Sequence, residues 1–437
     1  MPTPVEATVT VPGSKSQTNR ALVLAALSSG PSTIANGLDA RDTRLMRDGL
    51  RVLGVEIEDG AGVWRITPPA TFRPDGTIDC GLAGTVMRFL PPLAALADGA
   101  VTFDGDEQSY ARPMAPLLQA LTALGVEVTG DRLPCTLIGR LDLTGGEVVI
   151  DASTSSQYVS ALLLFGARLE SGLDLRHSGG DLPSRPHIAM TVQMLRDRGV
   201  EVDDSEVDRW RVGPGPIAPL NVTVEPDLST AAPFLAAAAI TGGHVTVPHW
   251  PSVSTQPGHA LPGILQQFGA EVSYGADSIT VCGTDQIGAV EVDLRDASEL
   301  TPVVAALAAL AQDTSHLHGI GHIRGHETDR LTAIATELEA LGAKVHVHRD
   351  GLTIHPRLMG GATWRTYADH RMAQAGALLG LVIEDIWLDD VTCTDKTLPE
   401  FVQLWTQMLA DSRVESAREI GQGEIKQEET EQAVDRE

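Results

Sequence analysis

The sequence predicts an α/β protein built from six copies of one unit, three to a domain. Three observations predict this. Five amphipathic segments each end in a glycine, at Gly54, Gly125, Gly199, Gly269 and Gly342, so successive copies lie 71, 74, 70 and 73 residues apart. Six Ala/Leu-rich segments alternate with them and are apolar nearly all round, the pattern of helices buried between other layers. A chain of 437 residues is also too long for one core, and two domains of about 200 residues are the natural division.

The first apolar helix follows Val11–Ala26 (VPGSKSQTNRALVLAA), with Ser16 expected as N-cap, a polar turn to Arg20 and an apolar run from Ala21 to Leu27. The later ones start near Thr85, Ser156, Ser229, Glu299 and His370, and strands such as VTFDG, LDLRHS and HVTVPHW come after them. In the alternating segments the glycine serves as the left-handed residue that turns a helix into the next strand (VLGVEI, ALGVEV, DRGVEV, QFGAEV, ALGAKV). Units of about 70 residues with two helices each are too long for a solenoid of ankyrin or TPR type. A sixth amphipathic copy begins at Leu398-Pro399-Glu400-Phe401, and its missing strand is expected from Ala7–Val11. Composition shifts place two crossings between domains at Val11–Gly13 and Asn221–Leu228. The expected domains are therefore 13–225, and 1–12 with 226–410, followed by an acidic, disordered tail over 411–437.

Charge and cysteine usage narrow the function. A net charge of −26 argues against nucleic acid or an anionic membrane as partner. No apolar run reaches the roughly 18 residues of a membrane span, and the N-terminal MPTPVEATVTV lacks a signal-peptide pattern. Cys80, Cys135, Cys282 and Cys393 are scattered without metal spacing, as in a reduced, cytoplasmic protein. An anionic substrate would need a locally basic cleft, and the chain has only four lysines: Lys15, Lys344, Lys396 and Lys426.

Unusual polar residues gather where the buried helices begin. These are Lys15, Ser16 and Arg20; Gly84, Thr85 and Arg88; Ser155, Ser156 and Gln157; Asp227, Ser229 and Thr230; Glu299; and Asp369, His370 and Arg371. If the copies are pseudo-symmetric, these starts share a face in each domain, and two facing sets of positive helix ends focus anions between them. Each group also has a plain reading as a helix cap, a first-turn acid or a solvated charge. The histidines at 316, 318, 322 and 326 raise a metal site, but no Cys or carboxylate set accompanies them.

Seven motifs in order then carry a resemblance: PGSKSQTNRAL, LAGTVMRF, ARPMAPLLQAL, SSQYVSALL, RGHETDRL, YADHRMA and KTLPEF, from Pro12 to Phe401. Together they resemble the EPSP synthase family of enolpyruvyl transferases, which join phosphoenolpyruvate to shikimate-3-phosphate and release phosphate. The resemblance implies two inside-out α/β barrel domains of three βαβαββ units, closing over the substrates, in a monomer that needs neither metal nor organic cofactor. Carried over by motif, Lys15, Ser16, Arg20, Ser155, Ser156, Gln157, Ser184, Glu299 and His326 become contacts to shikimate-3-phosphate, on the side of domain 13–225. Lys15, Gly84, Arg112, Gln157, Arg330, Arg371 and Lys396 become contacts to phosphoenolpyruvate, with Arg88 in support.

The implied chemistry needs a group to take a proton from the substrate hydroxyl and another to reach the methylene carbon. Glu299 and Glu327 are assigned these roles, with Lys15 assisting. Three departures from the family pattern stand out. Glu299 replaces the usual Asp, Leu82 replaces an Asn and loses a polar contact, and His326 replaces a Lys, implying pH-sensitive binding near neutrality. Three other readings remain: the sister transferase acting on UDP-N-acetylglucosamine, an RNA-terminal phosphate cyclase, and a degenerate repeat protein used as a binding scaffold. The Asp104–Tyr110 loop lacks the cysteine usual in the first, and the acidic balance counts against the second.

Overall fold

A computed structural model describes residues 3–60, 62–284, 286–357 and 359–412. Its repeating unit is clearest between residues 77 and 138. Strand Thr77–Asp79 leads into the buried helix Gly84–Ala95, strand Ala100–Asp104, helix Ala115–Ala123 and the strands Glu127–Thr129 and Cys135–Ile138. This is the βαβαββ order. The first two strands pair in parallel across the buried helix and the rest pair antiparallel. Among the described residues, five such four-stranded sheets occur, with one two-stranded sheet, Thr363–Trp364 with Trp387–Leu388.

The apolar helices are Lys15–Leu27, Gly84–Ala95, Gln157–Gly166, Ala232–Thr241, Thr301–Leu310 and His370–Leu379. Every residue of Gly84–Ala95 and of Ala232–Thr241 is buried, as their lack of a polar face requires. The first three pack on one another in a core running from Ala21 to Val224, and the last three do so in a second core. That second core joins Val5–Val11 to residues between Leu228 and Met408. Helices therefore lie inside and sheets outside, the inside-out arrangement. The five turn glycines have φ of 90, 93, 76, 100 and 112°, where a side chain would strain the backbone.

The two crossing segments run side by side. Gly13 forms an antiparallel bridge with Pro226, Ser14 N–H donates to the Glu225 carbonyl at 2.8 Å, and Asp227 N–H donates to that of Pro12 at 2.8 Å. The strands before them are exchanged. Glu6–Thr8, which precedes the first buried helix, pairs with His244–Pro248, the strand after the fourth. Val222–Thr223, which precedes the fourth, pairs with Ser32–Ala35, the strand after the first. This corrects the assignment of the N-terminal strand to the sixth copy. That copy keeps only its two-stranded sheet, because the register of Glu6–Thr8 is used by the fourth. Residues 401–412 are helical, so Asp411 and Ser412 continue a helix, and the rest of the expected tail lies outside the described residues.

Candidate active site

The six buried-helix starts converge on one cavity. Ser14, Lys15, Ser16, Gly84, Thr85, Ser155 and Gln157 line it from the first core, and Asp227, Ser229, Glu299, His370 and Arg371 line it from the second. Arg88, Arg112, Glu327 and Arg330 complete the charged lining, with His326 beside them. Positive helix ends and five cations (Lys15, Arg88, Arg112, Arg330, Arg371) face three carboxylates there, in a chain that is strongly acidic overall. The cap of the first helix differs from expectation. The hydroxyl of Ser14, not Ser16, accepts from Gln17 N–H, which leaves Ser16 in the first turn at the cavity wall. In the third, Ser155 Oγ accepts from Gln157 N–H at 3.3 Å, while Ser156 is buried without a capping bond.

The first core presents cations held mainly by neutral groups. Arg112 Nη1 donates to the Leu82 carbonyl at 2.8 Å. Arg88 donates to the Gly84 carbonyl and Gln157 Oε1, each at 3.3 Å, and to the Pro113 carbonyl at 3.1 Å. Burial and the neighbouring Arg112 bring Arg88 down to about 10. A Cβ on Gly84 would stand 2.9–3.0 Å from Arg88 Nη1, Arg112 Nη2 and Gln157 Oε1, so only glycine lets these groups close around one point. Lys15 Nζ is 3.2 Å from the buried Asp42, and its backbone N–H donates to Asp227 across the crossing at 3.1 Å.

The second core presents an ion-pair network. Arg330 grips Asp369 with two bonds, 2.7 and 3.0 Å, and reaches Glu327 Oε2 at 3.0 Å. Lys396 Nζ holds Glu327 Oε1 at 2.6 Å and donates to the Leu82 carbonyl of the first core at 3.1 Å. Burial opposes the charge of Glu327, but Lys396, Arg330 and Arg112 outweigh it and hold the carboxyl well below its usual range. Burial likewise opposes the charge of Arg330, and Asp369 and Glu327 more than restore it. Arg371 donates to the Ser229 carbonyl at 2.6 Å.

One expectation changes here. Burial and Arg330 push His326 well below its ordinary titration range, and its Nδ1 accepts from Arg330 Nη1 at 3.2 Å. His326 is therefore neutral around pH 7, which removes the pH sensitivity expected near neutrality. At Leu82 the backbone carbonyl binds Arg112 and Lys396 together.

Four residues named from the sequence stand behind the cavity wall. Arg20 is buried, its guanidinium spent on Thr191, Ser160 and the carbonyls of Ser16 and His187, and burial brings it down to about 9. Ser156 and Lys396 are buried beside lining residues. Ser184 has a left-handed backbone, φ 52°, with its N–H on the Arg295 carbonyl at 3.0 Å. Among residues the motifs left out, His187 lines the cavity with Nε2 at 2.5 Å from Glu299 Oε1, and Asp42 pairs with Lys15. His187 lies three residues beyond Ser184 in the same segment, whereas Asp42 carries no signal beyond a first-turn acid. His316 and His318 lie on strand Ser315–His318 outside the cavity lining, and among the described residues no group of three His, Cys, Asp or Glu is arranged to hold a metal.

Fold and site together define a two-core α/β protein with a cation-rich cavity between pseudo-symmetric halves. Its relatives agree. The model of the EPSP synthase (3-phosphoshikimate 1-carboxyvinyltransferase) family matches residues 1–405, and the chain belongs to that family. It is 54% identical over 419 residues to a 3-phosphoshikimate 1-carboxyvinyltransferase of Mycobacterium ulcerans, covering 94% of this chain and 97% of that one. An EPSP synthase structure from Acinetobacter baumannii shares the fold, with TM-score 0.78 and 24% identity over 93% of this chain and 96% of that one. So does the enolpyruvyl transferase NikO from Streptomyces tendae, with TM-score 0.75 and 20% identity over 93% and 95%. No described helix is long and apolar enough to cross a membrane.

Proposed function

We infer that the chain transfers the enolpyruvyl group of phosphoenolpyruvate to the 5-hydroxyl of shikimate-3-phosphate, releasing phosphate. One observation carries the reading: in a chain 54% identical to a 3-phosphoshikimate 1-carboxyvinyltransferase, six helix starts and five cations surround a cavity that also holds Glu299 and Glu327. On this reading Glu299 takes the hydroxyl proton as the oxygen attacks C2 of phosphoenolpyruvate, and a proton passes from Glu327 to the methylene carbon. The tetrahedral ketal that forms then loses phosphate, which carries off the proton held by Glu299, as its new methyl group returns a proton to Glu327, leaving the enol ether. Lys15 stabilises the departing phosphate. Glu327 starts ionised and takes its proton from solvent as the substrates bind. The arriving phosphate and carboxylate take over Lys396 and Arg330 and so raise its affinity for a proton.

Ser16, Arg20, Ser155, Ser156, Gln157, Ser184 and His326 hold shikimate-3-phosphate in this proposal, Arg20 and Ser184 from behind the wall. Gly84, Arg112, Arg330, Arg371 and Lys396 hold phosphoenolpyruvate. The two cores support two domains, 13–225 and 1–12 with 226–410, working as one cytoplasmic monomer without metal or organic cofactor. Phosphate release from phosphoenolpyruvate is to be compared with shikimate-3-phosphate and with UDP-N-acetylglucosamine as acceptor. Release is expected only with the former, and none there sinks the assignment. Glyphosate should compete with phosphoenolpyruvate, and indifference at millimolar inhibitor refutes that part.

A further inference from the structure

We propose that His187 is a positioning residue for Glu299: it crosses between the halves, fixes one carboxylate oxygen and turns the other toward the acceptor hydroxyl. The inference rests on the reaction proposed above.

His187 sits in the first turn of helix Arg185–Arg196, and Glu299 in the short turn Ser298–Leu300 before helix Thr301–Leu310. The backbone of His187 belongs firmly to the first core, since its carbonyl accepts from Arg20 Nη2 at 3.1 Å and Thr191 Oγ1 at 2.9 Å. Its side chain belongs to the other half, with Nε2 at 2.5 Å from Glu299 Oε1. The neighbours of both residues form a seam that sets this distance. Ser184 N–H donates to the Arg295 carbonyl at 3.0 Å, Arg185 N–H donates to Asp296 Oδ1 at 3.1 Å, and the Ser184 and Ser298 hydroxyls are 3.5 Å apart. Ser184 takes up a left-handed backbone to make it, a conformation that a non-glycine residue keeps only when its surroundings impose it.

The second carboxylate oxygen explains what the contact is for. Glu299 Oε2 is buried and has no protein partner, yet Glu299 lines the cavity. A glutamate has three side-chain torsions, and anchoring Oε1 leaves Oε2 as the atom able to accept the hydroxyl proton. The charged and titratable groups facing Glu299 are His187, Arg20, His322, His326, Arg330 and Arg371. Of these, only His187 hydrogen-bonds it. Burial pushes the Glu299 carboxyl up, and the charge and hydrogen bond of His187 outweigh that and hold it below the usual range. Loss of the donor therefore raises the pH needed to ionise the base.

The test compares pH profiles of kcat for the wild type, His187→Gln and His187→Leu, with circular dichroism to establish folding. A charge-assisted hydrogen bond of about 1.5–3 kcal/mol corresponds to about one to two pH units. The acid limb of the leucine variant should move up by that much, with its activity recovering as pH rises. Glutamine keeps an N–H donor but not the charge, so its limb should lie between those of the wild type and the leucine variant. Coincident limbs in all three proteins, or a leucine variant that raises only the KM for shikimate-3-phosphate, overturn the proposal. If the leucine variant does not fold, His187→Asn replaces it. Its amide is too short for Oε1, so it must show the raised limb, and a wild-type limb overturns the proposal. A wild type that releases no phosphate defeats the reaction assignment instead. The contact is then read without turnover, by NMR of the 15N-histidine-labelled full chain. A strongly downfield Nε2–H resonance lost in Glu299→Gln supports the proposal, and its absence from the wild type overturns it.

Discussion

The two sides of the cavity meet the same task with opposite electrostatics. On the first core, Arg88 and Arg112 rest on carbonyl and amide oxygens, with no carboxylate bonded to either guanidinium among the described residues. Their mutual repulsion and burial weaken the hold of Arg88 on its proton. On the second core, Arg330 and Lys396 are neutralised in advance by Asp369 and Glu327. The first side attracts an anion outright. The second gives up an internal ion pair to receive one, and that exchange links binding to the protonation of Glu327. Side chains of one type thus do different work according to what is buried with them.

The largest expected effect comes from breaking the second side. Glu327→Gln should lower kcat by about 10²–10⁴-fold, the range of a lost acid–base group, while the affinity for phosphoenolpyruvate holds or improves because Lys396 and Arg330 are released. Phosphate-release kinetics with calorimetric titration of phosphoenolpyruvate checks this, and a parallel loss of affinity erases the contrast. Arg112→Met probes the first side. An unpaired cation bonded to an anion is worth about 1.5–3 kcal/mol, so KM for phosphoenolpyruvate should rise about 10–150-fold with a smaller change in kcat.

Gly84→Ala sharpens the comparison further, because its Cβ presses on the first side alone, at 2.9–3.0 Å from three side-chain atoms. KM for phosphoenolpyruvate should rise about tenfold, since a loss near 1.4 kcal/mol is one decade, and KM for shikimate-3-phosphate should rise less, through Gln157 alone. Equal changes in both constants would place the crowding elsewhere.

The smallest effect concerns the neutral histidines of the second side. His326 and His370 titrate below their ordinary range because burial and neighbouring arginines oppose their charge. The unfolded chain takes up protons first as pH falls through about 6.5, so each histidine subtracts from stability below that pH and not above it. The melting temperature should fall between pH 7 and pH 5, and His326→Gln should fall less. The pH dependence of substrate affinity between pH 6.5 and 8 should be the same in both proteins.

The sequence by itself determined the unit and its count. Helical periodicity, a turn glycine and an all-apolar helix are local features, set by residues within a few positions of one another, and all five glycines fall at positive φ. It also determined that polar helix starts would meet, because a repeated unit repeats its geometry. Only the tertiary structure decided which oxygen each cation found and which strand joined which sheet. Leu82 serves through its carbonyl, which side-chain identity does not encode, and Arg112 and Lys396 reach it from 30 and 314 residues away. The exchange of Glu6–Thr8 with Val222–Thr223 follows from the path of the crossing, not from either strand's composition. The pairing of His187 with Glu299, 112 residues apart, exists because two cores close on each other, and neither residue's surroundings in the chain announce the other.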